Sequence, residues 1–258
     1  MKNLNRYLMA GAAIASLSVV TSNNADAASA YAGIFGGASL LQNPGLKGHS
    51  RTYTTTALTL LSSQSADASF KTGYVVGGNF GIDWGSGLRT ELELAARGNK
   101  SKSHAHLKTT YAYQYYGGAG HTRNGGTGTG PFTIYSTDAQ VPAHLNLRAY
   151  SLMANAWYDF NTDTGFTPYI GGGIGLAQVQ IDGSLNGTNL HEKNDTTFAY
   201  QLGAGISVPI SDSIKASLDY RYFAANGAKL KLEPGFHGGN VNADFDSHSI
   251  MVGLRFNL

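Results

Sequence analysis

Cysteine is missing from this chain of 258 residues. Its absence excludes a disulfide framework, a thiol nucleophile and any cysteine-based metal site. Charge is also scarce: Asp, Glu, Lys and Arg make up 13%, about half the ~25% of an ordinary soluble domain. The balance of +2 supplies no field strong enough to recruit a polyanion, so nucleic acid is not an expected partner. Beyond Ala30 no run approaches the ~18 consecutive apolar side chains of a membrane helix. Glycine (34 residues) and tyrosine (15) are in excess, within an aromatic fraction of 11%. A chain so aromatic is not a disordered polymer. Little charge, much Gly and Tyr and no long apolar helix indicate a β protein in an unusual solvent.

The N-terminus reads as an address. Lys2 and Arg6 precede the apolar run Leu8–Val20, and Ala25-Asp26-Ala27 follows with small residues where a signal peptidase needs room. A run of thirteen residues is too short to span ~30 Å as a helix. A signal peptide over residues 1–27 is expected, with cleavage after Ala27 or, alternatively, after Ala30. Residues 28–258 would then form one exported domain.

Period two dominates that domain. Near the C-terminus His248, Ile250, Val252, Leu254, Phe256 and Leu258 share one parity, and Ser247, Ser249, Met251, Gly253, Arg255 and Asn257 share the other. Such a segment is a strand with a different solvent on each face. Ile214, Ala216, Leu218, Tyr220 and Tyr222 alternate with Lys215, Ser217, Asp219 and Arg221. Leu88, Thr90, Leu92, Leu94 and Ala96 alternate with Arg89, Glu91, Glu93 and Arg97. Phe70–Trp84 sets Tyr74, Val76 and Phe80 against Lys71, Asn79 and Asp83, and Phe198–Val208 behaves alike. Tyr31–Leu41, Leu147–Phe160 and Thr167–Ile181 alternate more weakly. Eight strands result.

Connection lengths identify the solvent. Gly85–Gly87, Asn161–Gly165 and Ser211–Ser213 are tight, whereas Gln42–Ser69, Gly98–His144, Asp182–Thr196 and Ala225–Phe245 are long. Short turns at one end and four long extracellular loops at the other are the pattern of an outer-membrane barrel. Trp84, Tyr158, Phe160, Tyr169 and Phe256 lie near the short-turn end, where an interfacial girdle is required. The expected fold is all-β: an up-and-down antiparallel transmembrane β-barrel of eight strands. Ten is the alternative if Thr52–Leu61 or parts of Gly98–His144 also cross. A charge facing lipid at midplane costs roughly 2–4 kcal/mol. Arg89, Glu91, Glu93, Arg97, Asp159, Lys215, Asp219, Arg221 and Arg255 are therefore expected in the lumen, as a paired network or an ion pathway.

The segments FKTGYVVGGNFGIDW, TPYIGGGIGLA, FAYQLGAGISVPISDSIKASLDYRYF and the terminal SIMVGLRFNL resemble the small eight-stranded surface-antigen and opacity-type barrels. These are outer-membrane protein A-like barrels, with an alphaproteobacterial or rickettsial flavour. The resemblance is a texture of strands over nearly the whole mature chain. It implies residence in the bacterial outer membrane, contact with its lipid and lipopolysaccharide, and folding by the barrel assembly machinery. Ile250, Val252, Leu254, Phe256 and Leu258 would form the assembly signal; these families usually end in Phe, and here Leu258 ends the chain. No periplasmic domain is expected after the last strand.

Function is then expected in the outer loops, as a structural, antigen-like or adhesin-like interaction with host or environmental ligands. The long loop supplies Lys100, Lys102, His104, His106, Lys108, Tyr111, Tyr113, Tyr115 and Arg123, a mixture of cations and aromatics suited to adaptable binding. It reads as an extended hairpin with a glycine-rich tip at Gly117–Gly130. All eight histidines fall in long loops or at outer strand ends, so the surface gains positive charge as pH falls through ~6.5, the ordinary range of imidazole. A small porin is the alternative, and a lipid hydrolase is less favoured. His248 and Ser249 are adjacent, hence on opposite faces of a strand and out of each other's reach. Glu91 and Glu93 sit among arginines, which favours salt bridges over acid–base work. His104 and His106 lack a third ligand. No catalytic, cofactor or metal site is expected.

Overall fold

The computed structural model describes residues 28–42, 45–48, 51–54, 58–116, 129–162, 164–231 and 240–258. The proposed signal peptide, residues 117–128 of the tip with His121 and Arg123 among them, His49 and His237 lie outside the described residues. All the regular structure described is strand: β1 (Ser29–Leu41), β2 (Gly45–Gly48), β3 (Arg51–Thr54), β4 (Leu58–Phe70), β5 (Gly73–Asp83), β6 (Leu88–Tyr116), β7 (Thr129–Asp159), β8 (Thr167–Leu185), β9 (Thr188–Ser211), β10 (Ile214–Lys231) and β11 (Asn240–Asn257).

Eight of these close a ring. β1 pairs with both β5 and β11, and β5 through β11 pair in chain order, all antiparallel. Closure leaves no unpaired strand edge in hydrocarbon. The ten-strand alternative does not hold. β4 pairs with β6 only from Ser101 outward, β3 pairs with β4, and β2 bridges β4 to the outer end of β11. These three short elements form a collar outside the membrane.

The connections expected as long loops are largely strand. β6 runs for 29 residues and β7 for 31, joined as a hairpin far past the barrel rim. β8 and β9 meet at Asn186–Gly187, where φ is 51° and 75°; a two-residue turn of this kind matches the twist of its strands. At the other end the turns are short, and Gly85 (φ 76°) and Gly87 (φ 85°) reverse the chain between β5 and β6. Asp83 Oδ1 accepts the Gly85 N–H at 3.1 Å there.

These strands read as loops in the sequence because alternation continues outward with its polarity reversed. On β7 the outward parity is apolar over Tyr150, Leu152, Ala154, Ala156 and Tyr158, then polar over Arg148, Asn146, His144 and Gln140. The inward parity does the opposite: Asp159, Asn155 and Ser151 give way to Ala149, Leu147, Leu145, Ala143 and Val141. β6 switches at Gly98, from exposed Leu92 and Leu94 to exposed Lys100 and Lys102. β8 switches from Leu176 to Gln178 and β9 from Phe198 to Thr196. Below the switch the outside faces lipid and the inside is polar; above it the outside faces water and the inside is a core. Tyr74, Tyr150 and Tyr220 stand exposed near that level, opposite a second aromatic group of Trp84, Tyr158, Phe160 and Phe166 at the short-turn end.

Two residues depart from the expected placement. Tyr169 is buried in the lumen and not in the interfacial girdle, because the Gly171-Gly172-Gly173 run hides which parity of β8 faces inward. Lys71, counted with the inward parity of β5, is exposed in the link before that strand. The inward glycines make room for large lumen side chains. A Cβ on Gly171 would lie 2.6 Å from Trp157 Cε3 and would also collide with the Ala156 carbonyl. Gly171→Val should therefore sharply lower the fraction that reaches the compact, heat-modifiable form in cold detergent, read by gel mobility.

Candidate functional site

The lumen is filled in two layers. Near the short-turn end Arg89 grips Asp159 through Nη2–Oδ1 at 2.7 Å and Nε–Oδ2 at 2.9 Å. Arg255 lies 3.9 Å from Asp159 Oδ2. Glu91 accepts from four donors: Tyr31 Oη (3.0 Å), Asn79 Nδ2 (2.9 Å), Asn155 Nδ2 (3.1 Å) and Trp157 Nε1 (2.8 Å). These occupy the acceptor sites of the carboxylate, leaving none for abstracting a substrate proton. Glu93 is fully buried and pairs with Arg221, with Arg97 at 3.9 Å and with Asn155 and Gln201. Tyr169 and Ser217 donate to Asp219, which also faces Arg221. Lys215 is half-buried beside Arg255, its register partner. The space left among Arg89, Glu91, Trp157, Tyr169, Lys215 and Arg255 is about 40 Å³, room for a few waters.

Above the ionic layer the lumen is apolar. Leu145, Leu147, Val179, Ile181, Phe223 and Phe245 lead a buried cluster drawn from β4 and β6–β11. Phe35, Val75, Ala95 and Met251 form a smaller one beside it. Arg97 joins the layers: Nη1 donates to Ser151 at 2.9 Å while the guanidinium lies 3.9 Å from the centre of the Phe223 ring, a cation–π contact.

Tyr31, Asn155, Trp157, Tyr169 and Gln201 complete the lumen and are not among the charges expected there. Trp157 shares the parity of Asp159, and that signal is readable. Which aromatic meets which carboxylate depends on barrel register and is not.

Outside the membrane, Lys100, Lys102, His104, His106 and Lys108 occupy consecutive same-parity positions of β6, and all five are exposed. They form one cationic stripe of about 26 Å at ~3.3 Å per residue. His106 Nδ1 approaches Asp138 Oδ1 on β7 at 3.2 Å, both side chains being exposed. Asp67 of β4 faces His106 in register. Tyr111 is partly buried on the same strand, while the side chains of Tyr113 and Tyr115 lie outside the described residues. His248 faces outward against Tyr220 Oη at 2.7 Å and Gln42 Nε2 at 2.7 Å, and Ser249 is buried on the opposite face. At the closing strand Ile250, Val252, Leu254 and Leu258 are exposed along the lipid-facing parity, with Phe256 half-buried. Among the described residues no cluster of three His, Asp or Glu is placed to hold a metal.

A sequence model of the outer membrane protein beta-barrel domain matches residues 12–256. The chain belongs to that family. This outer-membrane barrel resides in the bacterial outer membrane, its short turns at the periplasmic end and its collar at the cell surface. It is 30% identical to the outer membrane protein PagN of Salmonella typhimurium over 132 residues, 45% of this chain and 54% of that one. It is 30% identical to a candidate adhesin of Rickettsia bellii over 139 residues, 46% of this chain and 58% of that one. The chain thus spans little more than half the length of these relatives. Among solved structures, the outer membrane protein OprG of Pseudomonas aeruginosa aligns over 89% of this chain and 96% of that one at 12% identity, with a TM-score of 0.46.

Proposed function

We propose that this barrel is a non-enzymatic surface adhesin that holds anionic ligands against the outer face of the β6–β7 hairpin. The observation that carries the reading is the exposed stripe Lys102, His104, His106 and Lys108, raised above the membrane on strands paired to their neighbours. A rigid cationic edge of this kind steers and retains a polyanion. The adhesin name of the rickettsial relative supports it. Tyr111, Tyr113 and Tyr115 occupy the other parity of β6, so the stripe does not continue through them, and the lumen charges would lock the barrel as a pedestal.

The test uses the full chain in lipid nanodiscs with dextran sulfate as probe. Lys102→Gln/Lys108→Gln should weaken binding about thirtyfold, since each surface cation contributes roughly 1 kcal/mol near an anionic partner. Raised salt should weaken the wild type likewise. Asp138 and Asp67 face His106 and offset part of the stripe's positive field. Binding unchanged in the lysine variant would remove the stripe as the ligand surface.

We further propose that residues 1–27 are cleaved on export and that Ile250, Val252, Leu254, Phe256 and Leu258 are read by the assembly machinery. The mass of the mature protein should then correspond to a chain starting at Ala28. Val252→Asp should lower the amount assembled in cells.

A further inference from the structure

At the periplasmic mouth of the lumen two cations face each other across neighbouring strands. Lys215 of β10 and Arg255 of β11 are directly opposed in the ladder, and both border the lumen. Like charges in that position repel and destabilise a sheet. The other register partner of Arg255 is Gly33, and that of Lys215 is Pro209. Neither brings a counter-charge.

The acids nearby are committed elsewhere. Arg89 holds both oxygens of Asp159 at 2.9 Å through Nε and one of them at 2.7 Å through Nη2. Arg255 stands off at 3.9 Å from that carboxylate, and its buried Nη2 makes no hydrogen bond. Glu91 serves four neutral donors, and Asp219 serves Tyr169, Ser217 and Arg221. At the rim Asp83 accepts the Gly85 N–H, and Asp212 is exposed in the β9–β10 turn. Among the described residues no carboxylate lies within ion-pair distance of Lys215. Between these groups lies the cavity of about 40 Å³, walled by Lys215 and Arg255 together with Tyr31, Gly33, Arg89 and Ser217. A space of that order admits an ion the size of one or two waters and nothing larger.

We propose that Lys215 and Arg255 hold a small monovalent anion, of chloride size, in this cavity as the counter-charge the ionic layer lacks. The anion turns one repulsion into two attractions and closes the periplasmic end of the filled lumen. The unfolded chain has no such cation pair, so an anion that binds only the folded barrel stabilises it by mass action. The site lies at the opposite end of the barrel from the Lys102–Lys108 edge, and either proposal can fail alone.

Urea titration of the full chain folding into lipid vesicles tests it, with chloride replacing gluconate at fixed ionic strength. Gluconate is too large for the cavity. Once chloride exceeds its dissociation constant, each tenfold rise should raise the wild-type folding constant about tenfold. Lys215→Gln and Arg255→Gln should each lose that slope, whereas Lys102→Gln/Lys108→Gln should keep it. In gluconate alone Lys215→Gln should be at least as stable as the wild type, because the repulsion is gone. Bromide should serve in place of chloride. Wild-type stability that ignores chloride would mean that the cavity holds water alone and would overturn the proposal. An undiminished slope in both cavity variants would reduce the effect to a general action of salt on the barrel and would overturn it too. Retained cold-detergent mobility establishes that each variant is folded, and Lys215, half-exposed at the rim, suffices for the test if Arg255→Gln does not fold.

Discussion

Glu93→Ala is expected to cost about 3–5 kcal/mol of folding stability, the usual penalty for breaking a buried ion pair from one side. The carboxylate is fully buried and serves Arg221, Arg97, Asn155 and Gln201 at once. Its removal leaves two guanidinium groups facing each other in a closed lumen. The paired change Glu93→Leu/Arg221→Met should recover much of the loss, because an apolar replacement of the whole pair avoids the stranded charge. Urea titration of folding into lipid vesicles, followed by gel mobility, reads both. A Glu93→Ala protein as stable as the wild type would mean that the network is hydrated and carries little of the barrel's stability.

Phe223→Ala is expected to be of similar size, about 3–5 kcal/mol. The ring is fully buried, meets Phe245 edge-on at 6.0 Å and carries the Arg97 guanidinium on its face. Its loss opens a cavity in the outer layer and removes the cation–π contact that ties this layer to the ionic one. The variant should nevertheless stay electrically silent in a planar bilayer, because the Arg89–Asp159 and Glu93–Arg221 pairs still fill the lumen below. The same urea titration measures the first effect. Appearance of steady current in this single variant would show the outer layer to be the sole seal.

The segments easiest to read from sequence are those that lie wholly on the membrane side of the polarity switch. The membrane halves of β11 and β10 keep apolar side chains on one parity, so Ile250–Leu258 and Ile214–Tyr222 stand out. β7 does not, since Leu145 and Leu147 face inward above the switch while Leu152 faces outward below it. Over its 31 residues the contrast between the two parities reverses sign, and half the strand passes for a loop. β8 is weak for another reason: glycines on both parities carry no sign, which misplaces Tyr169. The lumen charges are legible from the cost of exposing them to lipid. Their pairing is not, since Glu93 and Arg221 lie 128 positions apart in the chain and meet only through the register of the closed ring. The cationic stripe is visible in the sequence as residues, but becomes one face only because β6 continues as a strand.

Ion passage through the reconstituted wild-type protein tests most directly whether the barrel is a filled pedestal for the proposed binding wall. In a planar lipid bilayer at neutral pH the inserted protein should hold the baseline, with no sustained current at moderate voltage. Long-lived ohmic steps of uniform size would contradict the account and make the lumen, not the outer wall, the working part of the molecule.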